Sequence, residues 1–395
     1  YSGSEFNIGA HTFNLSGGGT LDNTNFLRLN DPASLLVISD STKISRMQVS
    51  AHGSSDGLNI TASDANSTGN LVGNLSLSDS FSVSSDSVWS VDNITVDTAL
   101  IFSTDRNVNF GSLTLTGSAD FSLGTEDITL SVSTPVTVEN TQKLQNGGGS
   151  FNFLGGLSLE TGSELIGQGK QISGNIVLNG GQIATEQNTI LTDNLTQSAD
   201  STLQIDTSKT LTYSGAPLSL GANTLTLTGG GTLLSGGLNL NNANSKLLLN
   251  SITVDSVSTT VDNSMGVDVD NDSTITSLSV ANITPISIAS GKTLSGGITV
   301  KAGSIQLDET GTLASTVELS GGTLEADESL TISGALTQSV DTTIDVLANK
   351  ILTYSGASFN LGSNTLTMSG GGTFFNSDNL TLSAESILKL DGIGK

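Results

Sequence analysis

The chain contains no cysteine, which excludes disulfide bonds and thiolate metal sites. A small secreted module held together by disulfides is therefore excluded, although a large secreted protein is not. Proline occurs only 4 times in 395 residues and aromatic residues make up only 4%, so an ordinary globular core is not expected. Disorder is a poor alternative, because hydrophobic residues make up 35% and recur at short, regular intervals.

Basic residues are scarce as well. The chain has 13 Lys and Arg against 37 Asp and Glu, a net charge of −24 and a pI near 4.1. A nucleic-acid-binding protein needs a basic stripe, and an anionic membrane attracts basic surfaces. No apolar run approaches the roughly 20 residues that span a bilayer. We therefore expect neither a nucleic-acid partner nor membrane insertion.

The sequence that is present is repetitive at two scales. Residues 155–232 match residues 296–373 without gaps at an offset of 141, the separation of Tyr213 from Tyr354. Within this long repeat, units of apolar and polar alternation followed by a turn recur every 19 to 23 residues. Seven such units make up one long repeat.

Alternation over short segments predicts β-strands, and the Gly and Asn residues between them predict turns. A repeat of about 20 residues cannot bury its apolar side alone, so we expect the repeats to stack. The predicted fold is all-β, a right-handed parallel β-helix (β-solenoid) of about 20 residues per coil and roughly 19 coils. We expect one continuous solenoid over 1–395, with irregular coils or protruding loops at 28–74 and regular coils at 75–395.

Units such as GGLSLETGSELIGQGKQISGNIVLNGGQIAT, residues 155–185, resemble the passenger regions of bacterial autotransporters and filamentous-haemagglutinin-like adhesins. The likeness lies in the coil length, in the sequence pattern GG-L-x-L-x-x-G-S/T-L and in the high content of Ser, Thr, Asn and Gly. It covers most of the chain from about residue 71. The resemblance implies an exported surface β-helix and names no receptor.

Aromatic residues that would line a sugar-binding cleft are few. Trp89 is the single tryptophan, and the three tyrosines, Tyr1, Tyr213 and Tyr354, occupy the same repeat position. A residue that serves one active site is not expected to be copied with the repeat. We therefore predict that these tyrosines are corner anchors with their hydroxyl groups at the surface.

The histidine residues and the glycine motifs also favour a structural role over a catalytic or ligand-binding one. His11 and His52 are the only histidines, and His11 aligns with Asn223 and Asn364 at a predicted turn. The Gly triplets at 17–19, 229–231 and 370–372 lack the Lys-Ser/Thr of a phosphate loop and do not form a nucleophile elbow. We predict tight corners at these triplets, and no catalytic or cofactor-binding residue.

One acidic segment is a candidate metal site. Asp268, Asp270 and Asp272 alternate in the sequence VDVDNDST, and on a strand their carboxylates would share one face, where they could hold Ca²⁺. The segment lacks the Gly and terminal Glu of a helix-loop-helix calcium loop. A solvated outer face is the favoured interpretation, so no metal ligand or cofactor is assigned.

The two ends of the sequence indicate which partners to expect. Tyr1 starts in phase with Tyr213 and Tyr354, and no helix is predicted to cap either end. We expect either a window on a longer array or a protomer that stacks end to end in a filament. The predicted function is a structural or adhesive solenoid, extracellular or on a bacterial cell surface, with a host-cell or surface glycan as a candidate receptor. The alternative is a carbohydrate-active β-helix enzyme.

Overall fold

The computed structural model describes residues 6–14 and 107–392 with their side chains. Between 15 and 106 it describes the backbone of the strands and the side chains of Ile94, Val96 and Phe102. Every regular element in these described parts is a β-strand. The predicted all-β solenoid is therefore confirmed.

The chain divides into two units of similar size, Tyr1–Leu195 and Thr196–Lys395. The described strands pair in parallel and form about 13 turns with a spacing of about 21 residues. The predicted total of roughly 19 coils counts the whole chain, and most of the 28–74 segment lies outside the described residues. The right-handed sense of the coil and the single continuous solenoid stay predictions.

Alternating sequence forms strands here because one side of each strand faces an apolar core. The strand Thr224–Thr228 reads TLTLT, and its two leucines, Leu225 and Leu227, are completely buried while its threonines are half-buried. Threonine and other β-branched residues suit the extended backbone. Each such strand places its leucines inside the coil and its hydroxyl groups outside.

Each turn has three strand positions, which we name face 1, face 2 and face 3 in chain order. In the first unit one turn passes through Leu157–Glu160 on face 1, Glu164–Gln168 on face 2 and Gln171–Ser173 on face 3. Each strand pairs in parallel with the strand on the same face of the next turn, so that Leu165 lies opposite Ile183. Identical faces therefore stack in register along each unit.

The strands that begin in the first unit are Phe6–Asn7, Thr12–Leu15, Thr20–Asp22, Phe26–Leu29, Leu35–Ile38, Lys43–Ser45, Gln48–Ala51, Leu58–Ala62, Asn70–Leu77, Phe81–Ser85, Trp89–Val96, Leu100–Thr104, Val108–Leu115, Asp120–Leu123, Thr129–Val132, Val136–Val138, Lys143–Gln145, Ser150–Phe153, Leu157–Glu160, Glu164–Gln168, Gln171–Ser173, Ile176–Asn179, Gln182–Gln187, Thr189–Leu191 and Leu195–Ala199.

The strands of the second unit are Ser201–Ile205, Thr210–Tyr213, Leu218–Ser219, Thr224–Thr228, Thr232–Leu234, Leu238–Leu240, Lys246–Asn250, Thr253–Thr259, Gly266–Asn271, Ser273–Val280, Thr284–Ile288, Thr293–Val300, Ser304–Leu307, Thr312–Leu313, Thr316–Leu319, Thr323–Ala326, Leu330–Ile332, Leu336–Gln338, Thr342–Val346, Ile351–Tyr354, Phe359–Asn360, Thr365–Ser369, Thr373–Asn376, Leu380–Thr381 and Ile387–Leu390.

Two turns of the second unit are longer than their neighbours. Ser201 pairs with Leu225 and Thr342 with Leu366, so each partner lies 24 residues along the chain. These turns contain the 23-residue units of the sequence repeat, the longest of its units of 19 to 23 residues. Because the two turns have the same length, the 141-residue repeat of the sequence is also a repeat of the structure.

The core is mostly aliphatic, but the largest buried side chains are aromatic. The aromatic side chains that are less than 2% exposed are Phe102, Phe110, Phe121, Phe151, Phe153, Tyr354 and Phe359. Five of these seven belong to the first unit, where the ring centroids of Phe121 and Phe151 lie 6.4 Å apart. Most of the aromatic side chains described in residues 102–361 thus lie inside the coil.

Candidate functional site

Side-chain oxygens at the corners of the coil bind the backbone of an adjacent turn. Asp200 Oδ1 accepts a hydrogen bond from the Thr224 backbone N–H at 2.7 Å, and Asp193 Oδ2 accepts one from Gly174 at 2.7 Å. Further pairs of the same kind are Asp262 with Ile283, Asp272 with Thr293, Asn107 with Thr129 and Asn146 with Gln168. Much of the Asp and Asn content therefore satisfies backbone donors where the strands end.

The Gly triplets form tight corners, as predicted, in both copies that the structure describes. Gly229 has φ 108° and Gly370 has φ 97°, a region that side chains rarely adopt. A Cβ atom at Gly229 would lie 2.4 Å from the Ile205 carbonyl oxygen, and one at Gly370 would lie 2.3 Å from that of Val346. Glycine is required because two turns approach closely. The triplet at 17–19 lies outside the described residues.

The prediction of surface hydroxyl groups on the repeated tyrosines is wrong for the two that the structure describes. Tyr354 is fully buried and Tyr213 is 3% exposed, whereas Tyr1 lies outside the described residues. The Tyr354 hydroxyl donates to the Ala357 carbonyl and accepts the Leu336 backbone N–H at 3.1 Å. Its position on the inward row, with polar backbone groups within reach, lets the whole side chain enter the core.

The three aspartates of the candidate calcium segment point to different partners. Asp268 forms an ion pair with Lys246, and Asp272 Oδ1 accepts the Thr293 backbone N–H at 2.8 Å. Asp270 is exposed beside an irregularity in the strand pairing. In residues 6–14 and 107–392, no group of three His, Cys, Asp or Glu side chains is placed to hold a metal ion. Alternation in sequence does not here produce a shared carboxylate face, because the strand ends at Asn271.

Of the remaining residues discussed above, the structure describes His11, Asn223 and Asn364. His11 is exposed in a bend just before the strand Thr12–Leu15, and Asn223 and Asn364 lie in turns, as predicted from the alignment. The side chain of Trp89 and all of His52 lie outside the described residues.

Carboxylates stack on face 2 of the second unit. Glu325 lies directly opposite Asp345 on the next turn, and Asp308 and Asp327 follow at the ends of neighbouring strands. Burial, and then the charge of Asp327, raises the pKa of the Asp308 carboxyl. Burial, and then the charge of Glu325, raises the pKa of the Asp327 carboxyl. The stack is therefore a place where the folded chain holds protons more readily than usual.

A shallow polar depression of about 320 Å³ lies on face 3 of the second unit. Its lining residues are Gly230, Ser251, Ile252, Thr253, Asp272, Ser273, Thr274 and Ser295. They include one carboxylate and no aromatic ring. These residues were not among the candidates predicted above, although S-x-T at 251–253, D-x-T at 272–274 and T-x-S at 293–295 recur every 21 residues. That periodic pattern of small polar residues is the signal that indicates it.

No helix in the described parts of the chain has the length and apolar character to cross a membrane. No protein-family model, no curated protein and no solved structure matches this chain.

Proposed function

We propose that this chain is a structural β-solenoid of the extracellular space or of a cell surface, and that it presents a polar, adhesive surface. The observation that carries the proposal is the set of corner hydrogen bonds, in which Asp and Asn side chains join adjacent turns at several places in the described residues. In this arrangement the inward residues form the core and many outward polar residues stiffen the stack. Such a molecule is suited to bearing load and holding a surface at a distance.

The acidic composition supports exposure to open solvent, as outside the cell. A net charge of −24 favours solubility. A fold without disulfide bonds is consistent with stabilisation by the stacking of its turns. The resemblance to autotransporter passengers and filamentous-haemagglutinin-like adhesins supports the same location.

We also propose that a further solenoid turn packs on the last described turn. On its face 2 strand the inward residue Leu390 is 64% exposed. Leu390 pairs with Met368, which is only 6% exposed because another turn covers it. An equivalent turn over Leu390, from a second copy or from additional chain, would bury this apolar edge and pair its backbone groups.

Electron microscopy of the purified chain, together with sedimentation velocity over a range of concentrations, tests both parts. We expect elongated particles that lengthen with concentration, and Leu390→Glu is expected to abolish the lengthening. Compact particles would reject the scaffold. Particles whose length does not change with protein concentration would reject self-association but not the scaffold.

The enzyme alternative is tested separately by incubation with a panel of neutral and acidic polysaccharides. We expect no new reducing ends and no unsaturated products. Catalytic release of either would replace the structural proposal with a carbohydrate-active enzyme.

A further inference from the structure

Two buried polar side chains lie in one inward row on face 2 of the first unit. Gln145 lies opposite Ile166, and the N–H of Asn146 donates to the Ile166 carbonyl, so Asn146 is level with Gly167. Gly167 in turn lies opposite Thr185 on the following turn. Asn146 is completely buried and Thr185 is 1% exposed. The face 2 strands before and after this row bury Phe121, Leu123, Leu203 and Ile205. The row is therefore a short polar interruption in an apolar core.

Each of the two side chains has one polar atom without a hydrogen-bond partner in the described part of the chain. These atoms are Asn146 Nδ2 and Thr185 Oγ1. The orientation of the Asn146 amide is fixed, because its Oδ1 accepts the backbone N–H of Gln168 at 2.6 Å. Buried polar atoms are nearly always satisfied, either by the protein or by an ordered water molecule. The two atoms therefore call for a partner that the chain itself does not supply.

The space between these two atoms is left open by Gly167, which has no side chain. Cα atoms two turns apart are separated by about 9.6 Å. The hydroxyl group of Thr189 borders this space, because a Cβ atom at Gly167 would lie 2.5 Å from Thr189 Oγ1. Thr189 is also 1% exposed, and its hydroxyl donates to the Gln187 carbonyl at 2.9 Å. A third polar group therefore faces the same enclosed region.

We propose that a water molecule is bound in this region and joins Asn146 to Thr185 across the turn of Gly167. The water accepts a hydrogen bond from Asn146 Nδ2, shares one with Thr185 Oγ1 and donates to Thr189 Oγ1. An ordered buried water typically makes about three hydrogen bonds. It spans about 5.6 Å between two partners, which suits short side chains two turns apart. This inference concerns the core of the first unit and does not depend on the proposed surface function.

A double-mutant cycle with Asn146→Ala and Thr185→Val tests whether the two residues share a partner. If one water serves both, the first substitution already disrupts its site and the second costs less. We expect the urea midpoint of the double variant to fall by clearly less than the sum of the two single falls. Circular dichroism follows the denaturation and shows that each variant folds.

Gln142→Ala is the matched control for Asn146→Ala in the same unit. Gln142 is 3% exposed, its Oε1 accepts the Glu139 N–H at 2.8 Å, and its Nε2 donates to the Gly117 carbonyl at 3.2 Å. It lies at the opposite end of the face 2 strand from Asn146. The effects of Gln142→Ala and Thr185→Val on the urea midpoint should therefore add.

The direction of the Thr185→Val effect distinguishes a hydrated site from a dry one. Valine keeps the shape of threonine and removes its hydroxyl group. In a hydrated site the substitution removes a hydrogen bond to the water, so the urea midpoint should fall. In a dry site it removes a buried hydroxyl that has no partner, so the midpoint would rise.

A high-resolution crystal structure of the chain gives the direct test. We expect an electron-density peak within hydrogen-bond distance of both Asn146 Nδ2 and Thr185 Oγ1. A peak that contacts only one of these atoms, no peak, an additive double-mutant cycle, or a higher midpoint for Thr185→Val would each overturn the inference. Anomalous scattering from this position in crystals grown with bromide would identify a halide ion and would overturn the assignment to water.

Discussion

Asp341 Oδ1 accepts a hydrogen bond from the backbone N–H of Thr365 at 2.7 Å, across two adjacent turns. The same bond joins Asp200 to Thr224, 141 residues earlier and at the same length. Because the first strand residue of the later turn has no ladder partner for this N–H, the carboxylate supplies one. The two copies of the 141-residue repeat therefore share this hydrogen bond as well as their sequence.

Asp341→Ala is expected to lower the free energy of unfolding by about 1–2 kcal/mol, because the Thr365 N–H loses a charged acceptor. Asp341→Asn keeps a side-chain oxygen and should retain most of the stability. Urea denaturation followed by circular dichroism measures both. The same pair of substitutions at Asp200 is an internal replicate, and equal effects of Ala and Asn would show that the bond is unimportant.

Gly229→Ala is expected to destabilise the second unit by more than 2 kcal/mol, because the new Cβ would lie 2.4 Å from the Ile205 carbonyl oxygen. Gly236 is the matched control. It also has positive φ, 64°, but a Cβ there meets nothing within 4 Å. Gly236→Ala should cost only about 1 kcal/mol, the backbone penalty. Thermal unfolding of the two variants checks the difference, and similar midpoints would contradict the close-approach argument.

The carboxylate stack on face 2 predicts that protonation of Asp308 and Asp327 contributes to the stability of the second unit in acid. The Asp308 carboxyl faces Asp327, Asp268, Glu309 and Glu328, and its pKa is raised. The pKa of the Asp327 carboxyl is raised as well. A carboxyl whose pKa is higher in the folded than in the unfolded chain binds protons preferentially on folding. Its contribution to stability therefore increases as the pH falls from 7 towards about 4.

Replacement of both Asp308 and Asp327 by asparagine should raise the melting temperature at pH 7 and reduce the change in melting temperature between pH 7 and pH 4. Melting followed by circular dichroism at the two pH values measures this. Glu385→Gln, at an exposed site outside the stack, is the control. A double variant with the same pH profile as the native chain would refute the prediction. Lys350, which binds Glu328 at 2.5 Å, remains in place in both proteins.

The sequence predicted the stacked all-β fold because the signal for it repeats in every turn. Alternation in segments such as TLTLT fixes which residues face inward, and the Gly triplets mark where turns approach each other. The same local rules placed the longer coil correctly. A pattern that recurs at a constant spacing needs no knowledge of distant contacts.

Predictions that depended on the inside of the coil were less successful. Tyr354 was assigned a surface hydroxyl because spacing alone does not show that backbone groups of Leu336 and Ala357 are within reach. Asp268, Asp270 and Asp272 alternate in sequence, but a strand end and the charge of Lys246 separate them. The depression is hard to predict because the Ser and Thr residues that line it are abundant throughout the sequence. Only the register of neighbouring turns shows which of them share a surface.

Because the turns stack in register, the length of the solenoid changes in steps of one turn. Insertion of a single residue within a strand moves its inward side chains to the outside. Insertion of a whole turn of about 21 residues leaves every inward position intact. Gene duplication can therefore extend the reach of such a molecule without a new core. The matching blocks 155–232 and 296–373 are what one such duplication would leave behind.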